Sequence, residues 1–205
     1  MANNTSPSII FNSFDRVVRF LCVFSPVEWF KKSFIYVFAD GSPEKCRNVG
    51  IVAIDIFIIF KWAIVIALWR SNFDGLFSAT IVGYLLFMNN HSYFCHHLWF
   101  HEGAAPSDPQ RERRRFLNLG LAAAYSVLCF AYFYAVVVPE QFVWPEGISK
   151  TGSAILFSIG NSLTGFSGDL RPVGSTANFL VSLQLISTFV FIAILLSNSI
   201  PRTRD

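Results

Sequence analysis

The sequence predicts an all-α membrane protein with four transmembrane helices, an N-terminal interfacial amphipathic helix, and a re-entrant helix between the last two spans. Three observations carry this expectation. Only 14% of the 205 residues are charged, whereas water-facing domains carry roughly 25%. Hydrophobic residues make up 53%, and the mean hydropathy is +0.48. Several stretches approach the roughly 20 apolar residues that a helix needs to cross a hydrocarbon core. An aromatic share of 17%, with 23 phenylalanines, excludes a disordered chain. The small net charge of +3 gives no reason to expect nucleic acid, so membrane lipid is the expected surrounding.

Residues 1–47 form the first region. Phe14–Phe38 alternates Phe, Leu and Val with Arg16, Arg19, Glu28, Lys31 and Lys32, and holds Pro26 at its middle. Such a pattern suits a helix lying in the membrane interface, a spanning helix being the alternative. No basic residue precedes the first apolar stretch, so a cleaved signal peptide is not expected. Cys22, Cys46, Cys95 and Cys129 show no CxxC spacing and read as reduced, structural thiols.

Residues 48–102 hold the first two expected spans, Val49–Trp69 and Leu76–Phe100; the second turns polar and histidine-rich toward its end. Residues 103–115 are expected as a basic loop with Arg111, Arg113, Arg114 and Arg115. Residues 116–200 contain the uncharged spans Phe116–Val138 and Ala177–Leu196, and residues 201–205 form a short tail. Basic residues concentrate before the first span, between the second and third, and in the tail. Positive charge favours the cytoplasmic side, so an integral, multi-pass chain with both termini cytoplasmic is expected.

Between the last two spans lies a short apolar run, Ser153–Leu163. At about 1.5 Å per residue it reaches only about half of a 30 Å core. The glycine-bearing stretch Thr164-Gly165-Phe166-Ser167-Gly168-Asp169 follows, and then Pro172. Irregular backbone at membrane depth is tolerated only where protein buries it or water lines it. A half-crossing helix, an irregular return and a full helix describe a re-entrant loop.

In this order of parts the chain resembles the pore module of the potassium-channel-like, pore-loop cation channel superfamily: outer helix, pore helix, a TxGYGD-type filter followed by proline, and inner helix. The matching parts are Phe116–Val138, Ser153–Leu163, Thr164–Asp169 with Pro172, and Ala177–Leu196. Aligned without gaps, Thr164, Gly168 and Asp169 match, while Gly165, Phe166 and Ser167 depart from the pattern. Alternatively Gly165-Phe166 stands for the glycine–tyrosine pair and Ser167 is an insertion. Phe166 resists the positive φ that glycine supplies, so potassium selectivity is not implied, and a wider or non-conducting pore is equally compatible.

The resemblance implies a homo-oligomer, four subunits in the family, passing a monovalent cation rather than catalysing a reaction. Backbone carbonyls of Thr164–Ser167 and the Thr164 hydroxyl would line the filter, Asp169 would concentrate cations at its mouth, and Gln184, Ser187 and Thr188 would line a wet cavity. Without a pore, the same inner-helix residues would form a polar helix–helix seam. Arginines at every third position are absent from the spans, so strong voltage gating is not expected. A gating signal would enter through the N-terminal segment, Gly103–Arg115, pH or a partner.

All four histidines, His91, His96, His97 and His101, fall between Asn89 and Glu102. On a helix His97 and His101 share a face, and His91 and Cys95 form a second pair four residues apart. Three uses stand open: solvated interfacial residues, a proton sensor, or a transition-metal or haem site with Asp55 or Glu102 as further ligands. The last makes the runner-up function a membrane metalloenzyme or redox subunit; a non-conducting accessory subunit is another. Asp55 and Lys61 interrupt the first span, where charge is costly unless paired or snorkelling. Their spacing puts them on different faces, so each marks an inter-helix pair, a wet crevice, or, for Lys61, a snorkelling side chain.

Overall fold

The computed structural model describes residues 9–39, 41–71, 73–95, 99, 109–163 and 170–199, without the side chains of 109–112 and 197–199. Among them are α1 (Ile9–Val23), α2 (Pro26–Phe38), α3 (Pro43–Arg70), α4 (Leu76–Phe94), α5 (Pro109–Tyr132), β1 (Phe142–Val143), α6 (Lys150–Ser162), β2 (Arg171–Pro172) and α7 (Ser175–Ser199). The chain is thus predominantly helical. Among the described residues, three stretches are long and apolar enough to cross a membrane: Pro43–Arg70, Arg113–Val137 and Ser175–Leu196. These are features of a membrane-embedded protein.

The chain divides into two compact units, Met1–Phe60 and Lys61–Asp205. In the first, the stretch Phe14–Phe38 is two helices rather than one. Proline cannot continue a helix from its N-terminal side, but it fits the first turn of a new one. Ser25 is accordingly extended, with ψ 114°, and α2 begins at Pro26. The Trp29 indole donates to the Val23 carbonyl across the corner at 2.5 Å. The α1 surface leaves Ile9, Ile10, Phe11, Phe14, Val17 and Phe20 exposed, while Arg19 pairs with Asp15 at 2.8 Å. Rings of α2 and α3 meet at Phe30–Phe57, 5.7 Å between centroids.

The second unit is built around α5. Half of the α5 span is buried within the chain, against 17% and 22% for α3 and α7, so α5 is the central helix and the other two keep broad apolar faces. Side-chain pairings set the directions. Trp69 meets Tyr132 near one end and Lys61 meets Tyr125 further in, so α3 runs parallel to α5. Tyr132 donates to the Phe73 carbonyl, and Tyr93 donates to the Asn118 carbonyl, so α4 runs antiparallel to α5. Likewise α7, bonded at Tyr134–Gln184 and Ser126–Ser187, opposes α5.

Two expected boundaries change. The basic stretch Arg113–Arg115 is the start of α5, not a loop; Pro109 suits a first helical turn and arginine is a good helix former. α4 is helical over Leu76–Phe94, but its end, Asn89-Asn90-His91, is too polar for it to join the three apolar spans.

α5 ends in a π-helical turn, Phe133–Val137, closed by the Val138 N–H on the Phe133 carbonyl at 3.0 Å. A short 3-10 turn, Pro139–Gln141, leads into β1, which pairs antiparallel with β2 as Phe142↔Pro172 and Val143↔Arg171. Gln141 then starts α7: its carbonyl accepts from Val173 and Gly174, and its side-chain Oε1 accepts from the Ala177 N–H at 3.1 Å. A Cβ on Gly174 would fall on this Gln141 side chain, so the approach needs glycine.

Candidate functional site

α6 carries the site. Ser149 caps it by accepting from the Gly152 N–H at 3.1 Å, leaving its N-terminus at the end of the unit where β1 lies. Phe157 packs against Phe142 and Tyr134. One residue later the Ser158 hydroxyl donates to the Val127 carbonyl at 2.8 Å. Val127 lies ten residues before the end of the π turn, about 15 Å along the helix axis. By Arg171 the chain is again beside Val143. α6 therefore runs alongside α5 and α7 for about half the length of the α5 span, and Arg171 lies again at the end where α6 begins.

A buried polar network holds the deep end of α6. Its hub is Gln184 of α7, 1% exposed. The Gln184 Nε2 donates to the Ser158 carbonyl (2.8 Å), the Ser158 Oγ (2.7 Å) and the Ser162 Oγ (2.8 Å). Its Oε1 accepts from the Tyr134 hydroxyl at 2.6 Å and from the Asn161 Nδ2 at 3.0 Å. Asn161 also donates to the Val181 carbonyl at 3.2 Å. Every polar atom of the Gln184 side chain is engaged, so α5, α6 and α7 are joined where an unmet amide would be costly.

A second polar layer crosses the unit closer to its other end. Lys61, 6% exposed, donates from Nζ to the Asn89 Oδ1 at 2.6 Å and lies 4.5 Å from the centre of the Tyr125 ring. Asn89 Nδ2 donates to the Ala122 carbonyl at 3.2 Å. The adjacent Asn90 donates to the Ser187 Oγ at 2.8 Å, and Ser187 meets the Ser126 Oγ at 3.0 Å. The two neighbouring asparagines thus tie α3 and α5 on one side to α7 on the other.

The predicted residues distribute unevenly. Thr164, Gly165, Phe166, Ser167, Gly168 and Asp169 lie outside the described residues, as do His96, His97, His101 and Glu102. The trio Gln184, Ser187 and Thr188 divides: Gln184 and Ser187 turn into the packed interior of their own chain, and Thr188 is half-buried. The seam explains this, because Ala177, Gln184, Ser187, Phe191 and Ile194, spaced by seven, three, four and three residues, form one buried stripe. Asp55 is exposed on α3. Lys61 does not snorkel; its bonded partner is an asparagine rather than a carboxylate. His91 and Cys95 do meet, with Nε2 and Sγ 3.3 Å apart.

Sequence reading missed Tyr134, Ser158, Asn161, Ser162, Asn89, Asn90 and Ser126. The usable signal was an amide or hydroxyl inside an apolar run, which in lipid is expected to find a partner on a neighbouring helix. Comparison of the chain with protein-family models, with curated proteins and with solved structures finds no match.

Proposed function

We propose that the chain is one subunit of a homo-oligomeric, pore-loop cation channel, with four spans and both termini on the cytoplasmic side. The supporting observation is the excursion of α6. It enters from the β1 end, stops at the level of Val127 and Gln184, and the chain is back at β2 nine residues after Ser162. That is the form of a re-entrant loop between an outer helix, α5, and an inner helix, α7. On this reading the carboxyl end of α6, the negative end of its dipole, faces the ion path. Thr164–Asp169 forms the constriction, with carbonyls replacing part of the cation's hydration shell.

Four subunits around an axis would complete the path. Phe179, Ser182, Ile186 and Phe189, exposed on α7, would meet the axis or the neighbouring subunits, while Gln184 and Ser187 hold α6 and α4 in place behind it. α4 serves as the fourth span. Its helix is about 28 Å long, and Asn89 and Asn90 are bonded within the chain, which lowers the cost of placing them in lipid.

Purified protein in planar bilayers tests this, read together with the mass of the detergent-solubilised particle. Cation-selective unitary currents from a multimeric particle are the expected result. A monomer that is silent at every voltage and pH would overturn the proposal.

The His91–Cys95 contact favours a second reading, a membrane metal-binding subunit. An imidazole and a thiol 3.3 Å apart suit zinc or another borderline-soft ion, with His96, His97, His101 or Glu102 supplying the remaining ligands. Metal analysis of protein purified without chelator decides it: about one ion per chain, lost in His91→Ala, supports the reading, and sub-stoichiometric metal ends it.

A further inference from the structure

The Lys61 layer offers a means of control that the pore-loop reading does not use. A lysine enclosed by three helices is a costly choice for simple packing, since leucine or methionine would fill the volume without charge. Its surroundings add to the cost. Among the described residues it has one hydrogen-bond acceptor, Asn89 Oδ1, and one ring, Tyr125, and no carboxylate forms an ion pair with it.

The titratable groups around it are few. α5 brings Tyr125 and Cys129, both fully buried and within electrostatic reach. α4 brings Asn89; His91, two residues on, stacks on Phe87 and touches Cys95. α7 has no ionisable side chain between Ser175 and Leu196. Whether the amine is charged is therefore decided by Asn89 and the Tyr125 ring rather than by an opposing carboxylate.

Asn89 is bonded next to Asn90 in the chain, and Asn90 holds Ser187 of α7. We propose that Lys61 is a proton-responsive control residue whose charge state acts on α7 through Asn89 and Asn90. With the proton on, the ammonium fixes the Asn89 amide, which keeps its Nδ2 on the Ala122 carbonyl and holds Asn90 at Ser187. With the proton off, the amine is a weaker donor, the Asn89 amide is free to turn, and the α4–α7 bond loosens. This rests on the pore-loop reading only for its effect on ion passage. The layer itself stands without that reading.

The test uses full-length protein in micelles. Lysine side-chain nitrogens are labelled with 15N, and the Lys61 signal is identified by its loss in Lys61→Met. The sample is titrated from about pH 6 to about pH 11, spanning the ordinary lysine range, and α7 is followed by hydrogen exchange corrected for intrinsic rate. Lys61 should titrate apart from the exposed lysines. Protection around Ser187 should fall about tenfold as it does so, with Lys61→Met resembling the high-pH state at all pH values. Asn89→Asp, which sets a carboxylate against the amine but cannot donate to the Ala122 carbonyl, should hold the proton on Lys61 to higher pH while leaving α7 less protected than in the native protein. Should Lys61→Met fail to fold, Lys61→Gln and Asn89→Asp carry the comparison. Equal α7 protection in native protein and folded variants, or Lys61 titrating with the exposed lysines, would overturn the proposal. Since no readout involves current, a silent bilayer leaves this result standing, and a conducting one does not rescue it.

Discussion

The two polar layers of the Lys61–Asp205 unit differ in how fully their hydrogen-bonding capacity is met. At Gln184 both polar atoms of the side chain are engaged by α6 and by the π turn that ends α5. Among the described residues the three-donor ammonium of Lys61 has one acceptor, and the nearby buried Asn90 Oδ1 has no hydrogen-bond partner. A satisfied network fixes one geometry, because any displacement breaks several bonds together. An under-satisfied one loses little when it rearranges. The layer around α6 is therefore the rigid part of this unit, and the layer around α4 is the part whose energy a proton can change.

The largest effect should come from breaking the weaker layer on its acceptor side. Asn89→Leu leaves the Lys61 ammonium buried without an acceptor and should destabilise the protein by about 3–5 kcal/mol, measured by unfolding in mixed detergent micelles. A smaller loss, about 2–3 kcal/mol, is expected for Gln184→Leu, which strands the Tyr134 hydroxyl and takes the amide donor away from Ser158 and Ser162. If Gln184→Leu cost more than Asn89→Leu, the ranking of the layers would be reversed. Ser149→Ala removes the α6 cap and should cost about 1 kcal/mol by the same assay, with increased exchange confined to the first turn of α6. The smallest effect is expected for Lys61→Met. Removing the charge relieves its burial and offsets the acceptor left at Asn89, so the net change should lie within about 1 kcal/mol. A large loss there would mean that the ammonium is structural.

The same contrast shows what composition and periodicity could reveal. The long apolar runs made three spans legible, since each needs only length and hydropathy. The half-length of Ser153–Leu163 marked α6 as different, and the observed helix differs from that reading by a few residues. Pro26 signalled the α1–α2 break, although a continuous helix was expected. For Gln184 and Ser187 the sequence left a wet cavity and a polar seam both open, and the spacing with Ala177, Phe191 and Ile194 puts both in the seam. Lys61 stood out as a charge in an apolar run, but its partner did not: Asn89 is 28 positions away, and nothing local distinguishes it from Asn90. Pairings between helices depend on rotation about each axis, which a single sequence leaves open.

The π turn at Phe133–Val137 accommodates one extra residue in the last turn of α5. Deleting one of these five would let the turn close as ordinary α-helix, whereas deleting a residue earlier in α5 would turn everything after it by about 100°. Gln141 would swing away from the start of α7, and Tyr134 could no longer keep both its ring on Phe157 and its hydroxyl on Gln184. The bulge sets the phase between the two halves of the hairpin, so a shortened chain could keep every helix and still lose their alignment.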